Sequence, residues 1–346
     1  MNEEVLKKHP ELKKVIDTVL AVDVGNSYVK TNVGLSIPSR ISEVNRHGSV
    51  TAKTSNVIWN GKLYTVGSKN GKANIEPTKY SSDHYKLCLL TAIALSFKGK
   101  KDISVRLALG LPAEFYDIHF QPLKDEILKM EKQQITVNSV EYNIEILDVQ
   151  VFKQGGTLSS TRAKNYKFPM LMVDLGSVTL DVSFWRFVKD EFDNKVLNMT
   201  AAKSYAQYGF QPVMEDLLTR FNSAEGSDGN YDIIDAIEFL EENYLPFSTE
   251  EELKSVKDEI LMPYVSDFVS SIKSIFQLSA CESILLMGAP AHILLPYVQA
   301  EMNVKPEATP IVIENVKAQH ANTVIFAERY KELLTLDYLE KVKGAE

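Results

Sequence analysis

The chain has 346 residues, enough for two domains of about 150 to 200 residues each, and its 45% hydrophobic and 24% charged content is that of an ordinary packed protein. A net charge of -8 argues against a broad basic face for nucleic acid. No apolar run approaches the roughly 20 residues that span a bilayer, and the first residues, with Glu3, Glu4, Lys7 and Lys8, lack the apolar core of a signal peptide; a cytoplasmic protein is expected.

Residues 1 to 17 mix charge with Leu6, Leu12, Val15 and Ile16, which predicts a short helix outside the first strand. From Val19 to Val24 an apolar run enters Gly25-Asn26-Ser27 and leaves as Tyr28 to Val33, the pattern of a buried strand turning into an antiparallel neighbour. Residues 36 to 80 are rich in Ser, Asn, Gly and Lys, with a strand-turn-strand signal at Val57 to Gly67 around Asn60-Gly61, and read as an inserted subdomain. Helical spacing follows from Ser82 to Phe97, then a strand at Ile103 to Leu109 that stops at Gly110-Leu111-Pro112. An amphipathic segment at Gln121 to Lys132 precedes a strand at Glu145 to Phe152, which ends at Lys153-Gln154-Gly155-Gly156 with a helix expected next.

Phe168 opens a second apolar strand, turn and strand: Met170 to Val173, Asp174-Leu175-Gly176-Ser177, and Val178 to Val188. From Gln211 helical patterns dominate, with a polar loop at Phe221 to Tyr231 and amphipathic stretches at Tyr231 to Asn243 and Glu250 to Leu278. Two strands remain, Ser283 to Met287, closed by Gly288-Ala289-Pro290, and Pro310 to Ile313, before a helix from Asn322 and a charged terminal helix. Cys88 and Cys281, far apart and without Cys-x-x-Cys spacing, predict neither a disulfide framework nor a zinc site.

The chemistry lies in a repeat. Val22-Asp23-Val24-Gly25-Asn26 matches Val173-Asp174-Leu175-Gly176-Ser177 at an offset of 151 residues (23 to 174), each flanked by strands, and a duplicated domain is the simplest explanation. In such a turn Gly is expected to supply positive φ and close approach, while the backbone N–H groups of Gly25 to Ser27 and of Gly176 to Thr179 bind phosphate oxygens. Asp23 and Asp174 are candidate holders of a hydrated Mg²⁺, which takes oxygen ligands and keeps several waters.

With Lys30 seven residues after Asp23, and with Thr179 and Asp181 completing Asp-x-Gly-x-x-Thr-x-Asp, the pair resembles phosphate motifs 1 and 2 of the actin-fold ATPases. Ile284 to Ala291, through Gly288, Ala289 and Pro290, is similar to the adenosine motif of that superfamily. Tyr64-Thr65-Val66-Gly67 and Gly110-Leu111-Pro112 narrow the resemblance to the bacterial plasmid-segregation actins of the ParM or StbA group, over roughly residues 18 to 330.

This resemblance implies an α/β, actin-like (ribonuclease H-like) fold with two duplicated domains around a nucleotide cleft. Its boundaries would be an extension at 1–17, domain I at 18–168 with the insert at about 36–80, domain II at 169–325, and a helix at 326–346 returning to domain I. It further implies a filament-forming ATPase with ATP or GTP and Mg²⁺ as cofactors. Self-association would be head to tail, with a DNA-binding adaptor linking filaments to a plasmid and no direct nucleic-acid or membrane contact.

Catalysis would rest on Gln154, Asp23 and Asp174, and nucleotide contacts on Gly25, Asn26, Ser27, Lys30, Gly176, Ser177, Val178, Thr179, Gly209, Gly288, Ala289 and Pro290. The sequence departs from the family where a Pro-Glu pair is usual and Lys153-Gln154 stands: an amide orients a water but cannot accept its proton, so slow hydrolysis is expected. A second departure, Ala321-Asn322-Thr323-Val324-Ile325, is given no catalytic role. The alternatives are a small-molecule kinase, for which no acceptor-activating Asp is evident, a non-polymerising ATPase of the same superfamily, and a cell-division or chaperone-type actin relative.

Overall fold

The computed structural model describes residues 3–344 except 52, 69, 75, 77–78, 224–230, 232–234, 237–239, 241–249 and 315–316. The loop expected at Phe221 to Tyr231 and the helix expected at Tyr231 to Asn243 fall largely outside the described residues. The chain forms two compact units, one running to Asn165 and resuming at His320, the other comprising Tyr166–Gln319.

The first unit is built on a ten-stranded sheet ordered β3-β2-β1-β8-β10-β9-β5-β6-β4-β7. At its centre β1 (Val19–Val24) is buried along its whole length, because it pairs antiparallel with β2 (Tyr28–Thr31) and parallel with β8 (Asp102–Leu111) and is covered on both faces. Successive side chains of a strand point to opposite faces. Leu20, Val22 and Val24 accordingly join one core cluster, with Leu87, Leu90 and Ile93 of α3 (Asp83–Ser96). Val19 and Ala21 join another, with Phe326, Ala327 and Tyr330 of the C-terminal helix (Ala321–Lys343).

β3 (Ser36–Pro38) flanks β2, and β10 (Val140–Lys153) runs parallel to β8. Beyond β10 the sheet continues through β9 (Lys132–Val137), β5 (Ser55–Trp59), β6 (Lys62–Val66), β4 (Arg40–Glu43) and β7 (Lys72–Ala73). The expected N-terminal helix is two, α1 (Glu3–Lys8) and α2 (Pro10–Ile16), and α4 (Ala113–Leu128) starts eight residues before the amphipathic pattern at Gln121. The helix expected after Gly156 is only α5 (Ser160–Ala163).

The second unit has a five-stranded sheet, ordered β13-β12-β11-β14-β15, of β11 (Met170–Leu175), β12 (Leu180–Lys189), β13 (Lys195–Tyr205), β14 (Ser283–Met287) and β15 (Ile311–Val312). Strand β11 pairs antiparallel with β12 and parallel with β14, as β1 does with β2 and β8. The outer strands agree as well: β13 is antiparallel to β12 as β3 is to β2, and β15 is parallel to β14 as β10 is to β8. The repeat read in two short motifs thus extends to five strands of each sheet. Helices α6 (Gln211–Ser223), α7 (Glu250–Ile275) and α8 (Ala291–Met302) belong to this unit, and α9 is the single helix Ala321–Lys343 of the first, where two helices were expected.

Candidate phosphate-binding turns

Each hairpin is closed in the same way. The Gly25 N–H donates to the Tyr28 carbonyl at 3.1 Å, and 151 residues later (25 to 176) the Gly176 N–H donates to the Thr179 carbonyl at 3.0 Å. Neither glycine has the positive φ expected of it; the reason for Gly is proximity. A Cβ on Gly25 would lie 2.9 Å from the Tyr28 oxygen and one on Gly176 2.7 Å from the Thr179 oxygen, closer than carbon and oxygen tolerate.

In the first turn Asp23 is 4% exposed and is opposed in register by Lys30. The Lys30 ammonium lies 3.1 Å from Asp23 Oδ2, while Gln154 Nε2 donates to Asp23 Oδ1 at 2.9 Å. The structure therefore brings Asp23, Lys30 and Gln154 together, with Lys30 turned inward. Asn322, given no role from sequence, borders the same corner: its Oδ1 accepts the Gly155 N–H at 3.4 Å.

One contributor escaped the sequence reading altogether. Lys79, in a single 3-10 turn before α3, is 8% exposed, and its ammonium donates to the Val24 carbonyl at 3.0 Å and to Asn26 Oδ1 at 2.7 Å. Burial lowers its pKa to about 8, partly countered by Asp23. No periodicity marks such a lysine, since only the tertiary fold takes it out of water.

In the second turn Asp174 is 5% exposed and opposed in register by Asp181, which occupies the position of Lys30 in the first copy. Asp181 accepts from Thr179 Oγ1 at 3.1 Å and from the Ser204 hydroxyl of β13. The remaining predicted residues gather here. Phe210 N–H donates to the Gly176 carbonyl at 3.0 Å and Gln211 N–H to the Ser177 carbonyl at 2.8 Å, which ties the start of α6 to the turn. Gly209 must be glycine, since a Cβ would sit 2.3 Å from the Val178 carbonyl. Gly288, at φ +98°, would place a Cβ 2.1 Å from the Leu175 oxygen, so the Gly288-Ala289-Pro290 bend abuts the same turn, with Pro290 capping α8.

Both turns share an electrostatic logic. Two carbonyl oxygens in each are occupied by protein donors, Val24 by Lys79 and Ser27 by the Ser39 N–H at 2.9 Å in the first, Gly176 and Ser177 by Phe210 and Gln211 in the second. The N–H groups of Gly25 and Gly176, expected as phosphate donors, are instead spent on closing the hairpins, while among the described residues no protein acceptor takes those of Asn26, Ser27, Ser177 or Val178. Donors exposed and acceptors shielded is the arrangement that binds an anion. The nearby carboxylates come without imidazole or thiolate, and among the described residues no cluster of three or more His, Cys, Asp or Glu could hold a metal by itself. That donor chemistry fits a hydrated cation shared with a ligand rather than a metal caged by protein.

A family model described as Actin like proteins N terminal domain matches residues 21–156, the segment from β1 to the loop after Gln154. The fold is actin-like. Among solved structures, a non-polymerisable quadruple mutant of pCBH ParM superposes with a TM-score of 0.70 at 17% identity, over 91% of this chain and 99% of that one. A 15-stranded ParM filament from Clostridium botulinum gives 0.67 at 16% identity, over 91% and 99%. An AlfA filament bound to AMPPNP gives 0.53 at 14% identity, over 91% and 97%. No protein of curated function matches the sequence significantly. In actin-like terms, the two hairpins occupy the equivalent places of a duplicated sheet.

Proposed function

We propose that this actin-like protein binds and hydrolyses ATP with Mg²⁺, polymerises head to tail, and drives plasmid DNA segregation through a DNA-binding adaptor. The observation that carries the nucleotide reading is the repeated turn, closed by the same hydrogen bond at Gly25 and Gly176, with two following N–H groups that no protein acceptor takes among the described residues and two carbonyls already occupied. Support for polymer formation comes from fold similarity to ParM and AlfA filaments.

Asn26, Ser27, Ser177 and Val178 offer backbone donors to phosphate, and Lys30 and Lys79 positive charge, while the Thr179 hydroxyl, spent on Asp181, holds the turn in shape. Gly209 and Gly288, by leaving out a side chain, let their backbone pack directly against the second turn. Asp23 and Asp174 would hold the waters of a hydrated Mg²⁺, which supplies charge neutralisation at the phosphates when bound. The amide of Gln154 gives its N–H to Asp23 and so presents Oε1, an acceptor able to orient a water without taking its proton. Slow turnover follows. Subunits joined by a heterologous contact that does not close grow a helical filament, so no second molecule type is needed for polymer formation.

The test is light scattering and pelleting of the purified protein with Mg-ATP, Mg-GTP or ATP plus chelator, with negative-stain imaging of the pellets. Filaments with a magnesium-bound nucleotide and none with chelator are expected. Absence of polymer over a broad concentration range would remove the filament reading, and unchanged phosphate release in Asp174→Ala would remove the metal role of Asp174.

A further inference from the structure

We infer that Lys79 is a positioning residue that makes the first turn selective for polyphosphate, acting through Asn26 and the Val24 carbonyl; this rests on the nucleotide reading above. A lysine ammonium has three N–H donors, and two are spent on neutral oxygens on either side of Gly25. No carboxylate lies within ion-pairing distance of it among the described residues: Asp23 is paired with Lys30 instead. A buried cation held only by neutral acceptors is a poor arrangement for the protein alone, because the lost hydration is not repaid by a counter-charge.

Two structural consequences follow from its placement. By taking hydrogen bonds to the Val24 carbonyl and the Asn26 side-chain oxygen, the ammonium offsets the negative ends of both, which would otherwise repel a phosphate at the turn. It also places beside the turn a positive charge that Asp23, itself paired with Lys30, offsets only in part. An anionic ligand at the turn supplies the missing counter-charge, so its binding is strengthened by a group it does not touch. A ligand lacking phosphates receives nothing from Lys79. The selectivity is thus for the polyphosphate, whatever base is attached.

The experiment is isothermal titration of wild type, Lys79→Met and Lys79→Arg with Mg-ATP, Mg-GTP, inorganic tripolyphosphate and adenosine, with thermal melts to verify folding. For Lys79→Met, affinity for Mg-ATP and for tripolyphosphate should fall by about tenfold or more while adenosine stays within about twofold, and Arg should recover most of the loss, since an ionic hydrogen bond contributes on that scale. A double substitution with Asn26→Ala should add little to Lys79→Met, because the two act as a unit. Unchanged Mg-ATP and tripolyphosphate affinity, or equal loss for adenosine, overturns the inference. A wild type that takes tripolyphosphate but neither ATP nor GTP overturns the nucleotide reading and leaves the role of Lys79 standing; one that takes none of them overturns both.

Discussion

Replacing Lys79 by Met should uncouple the stability of the protein from pH in a defined window. The Lys79 pKa falls from 10.5 to about 8, chiefly through burial, with Lys30 acting in the same direction and Asp23 against it. A base whose folded pKa lies below its unfolded one binds fewer protons when folded, so stability rises with pH between the two values and is lowest below the folded one. From about pH 7 to about pH 9.5 this linkage amounts to about 2 kcal/mol in favour of the wild type, and Met, which does not titrate, provides none of it. Cys88, electrostatically coupled to Lys79 and pushed up to about 12 by burial, stays a neutral thiol throughout. Urea unfolding of both nucleotide-free proteins at the two pH values isolates the effect, because other titrating groups cancel in the double difference. The wild type should gain about 2 kcal/mol on the variant as pH rises. A difference that does not move with pH would refute the claim that the ammonium is withdrawn from water.

Gly209→Ala should cost about 1–3 kcal/mol in chemical denaturation and weaken ATP binding, since the new methyl meets backbone of the second turn that no rotamer can move. Arg162→Met should cost about 2 kcal/mol by removing a two-point bond to Glu328, where Nη2 and Nε lie 2.6 and 3.1 Å from the carboxylate oxygens. Glu328 keeps its bond from Ser159, which limits the loss, and a melting point equal to the wild type would refute the estimate. Gln154→Ala should lower phosphate release about tenfold or more with ATP affinity nearly unchanged. An equal fall in affinity would assign Gln154 to binding instead.

The hairpins were legible because a buried central strand, an Asp-x-Gly turn and an alternating return strand leave a local signature that the fold does not override. Strands with few buried apolar residues were not. The β9 sequence from Lys132 shows polar Gln133 and Gln134 first, and its turn is marked only by Asn138 and Ser139 at positive φ. The β13 strand is exposed along most of its length, so burial imposes no pattern on it. The four-residue α5 is fixed from far away: the Glu332 carboxylate accepts the N–H groups of Ser160 and Thr161, both at 3.1 Å. Expecting positive φ at Gly25 and Gly176 was wrong for a related reason, since the constraint there is a neighbouring carbonyl, which sequence does not reveal. Lys79 and Asn322 reach the first turn only through tertiary folding.

Lys30 and Asp181 stand on the same rung of two copies of one hairpin, yet one is a cation and the other an anion. The backbone still records the duplication while this single rung has lost it. Two turns alike in hydrogen bonding but opposite in charge at one position cannot be interchangeable: the first sets a cation beside its buried carboxylate, the second another carboxylate. Ancestral symmetry has become division of labour, and grafting either hairpin onto the other unit would restore the shape without the chemistry.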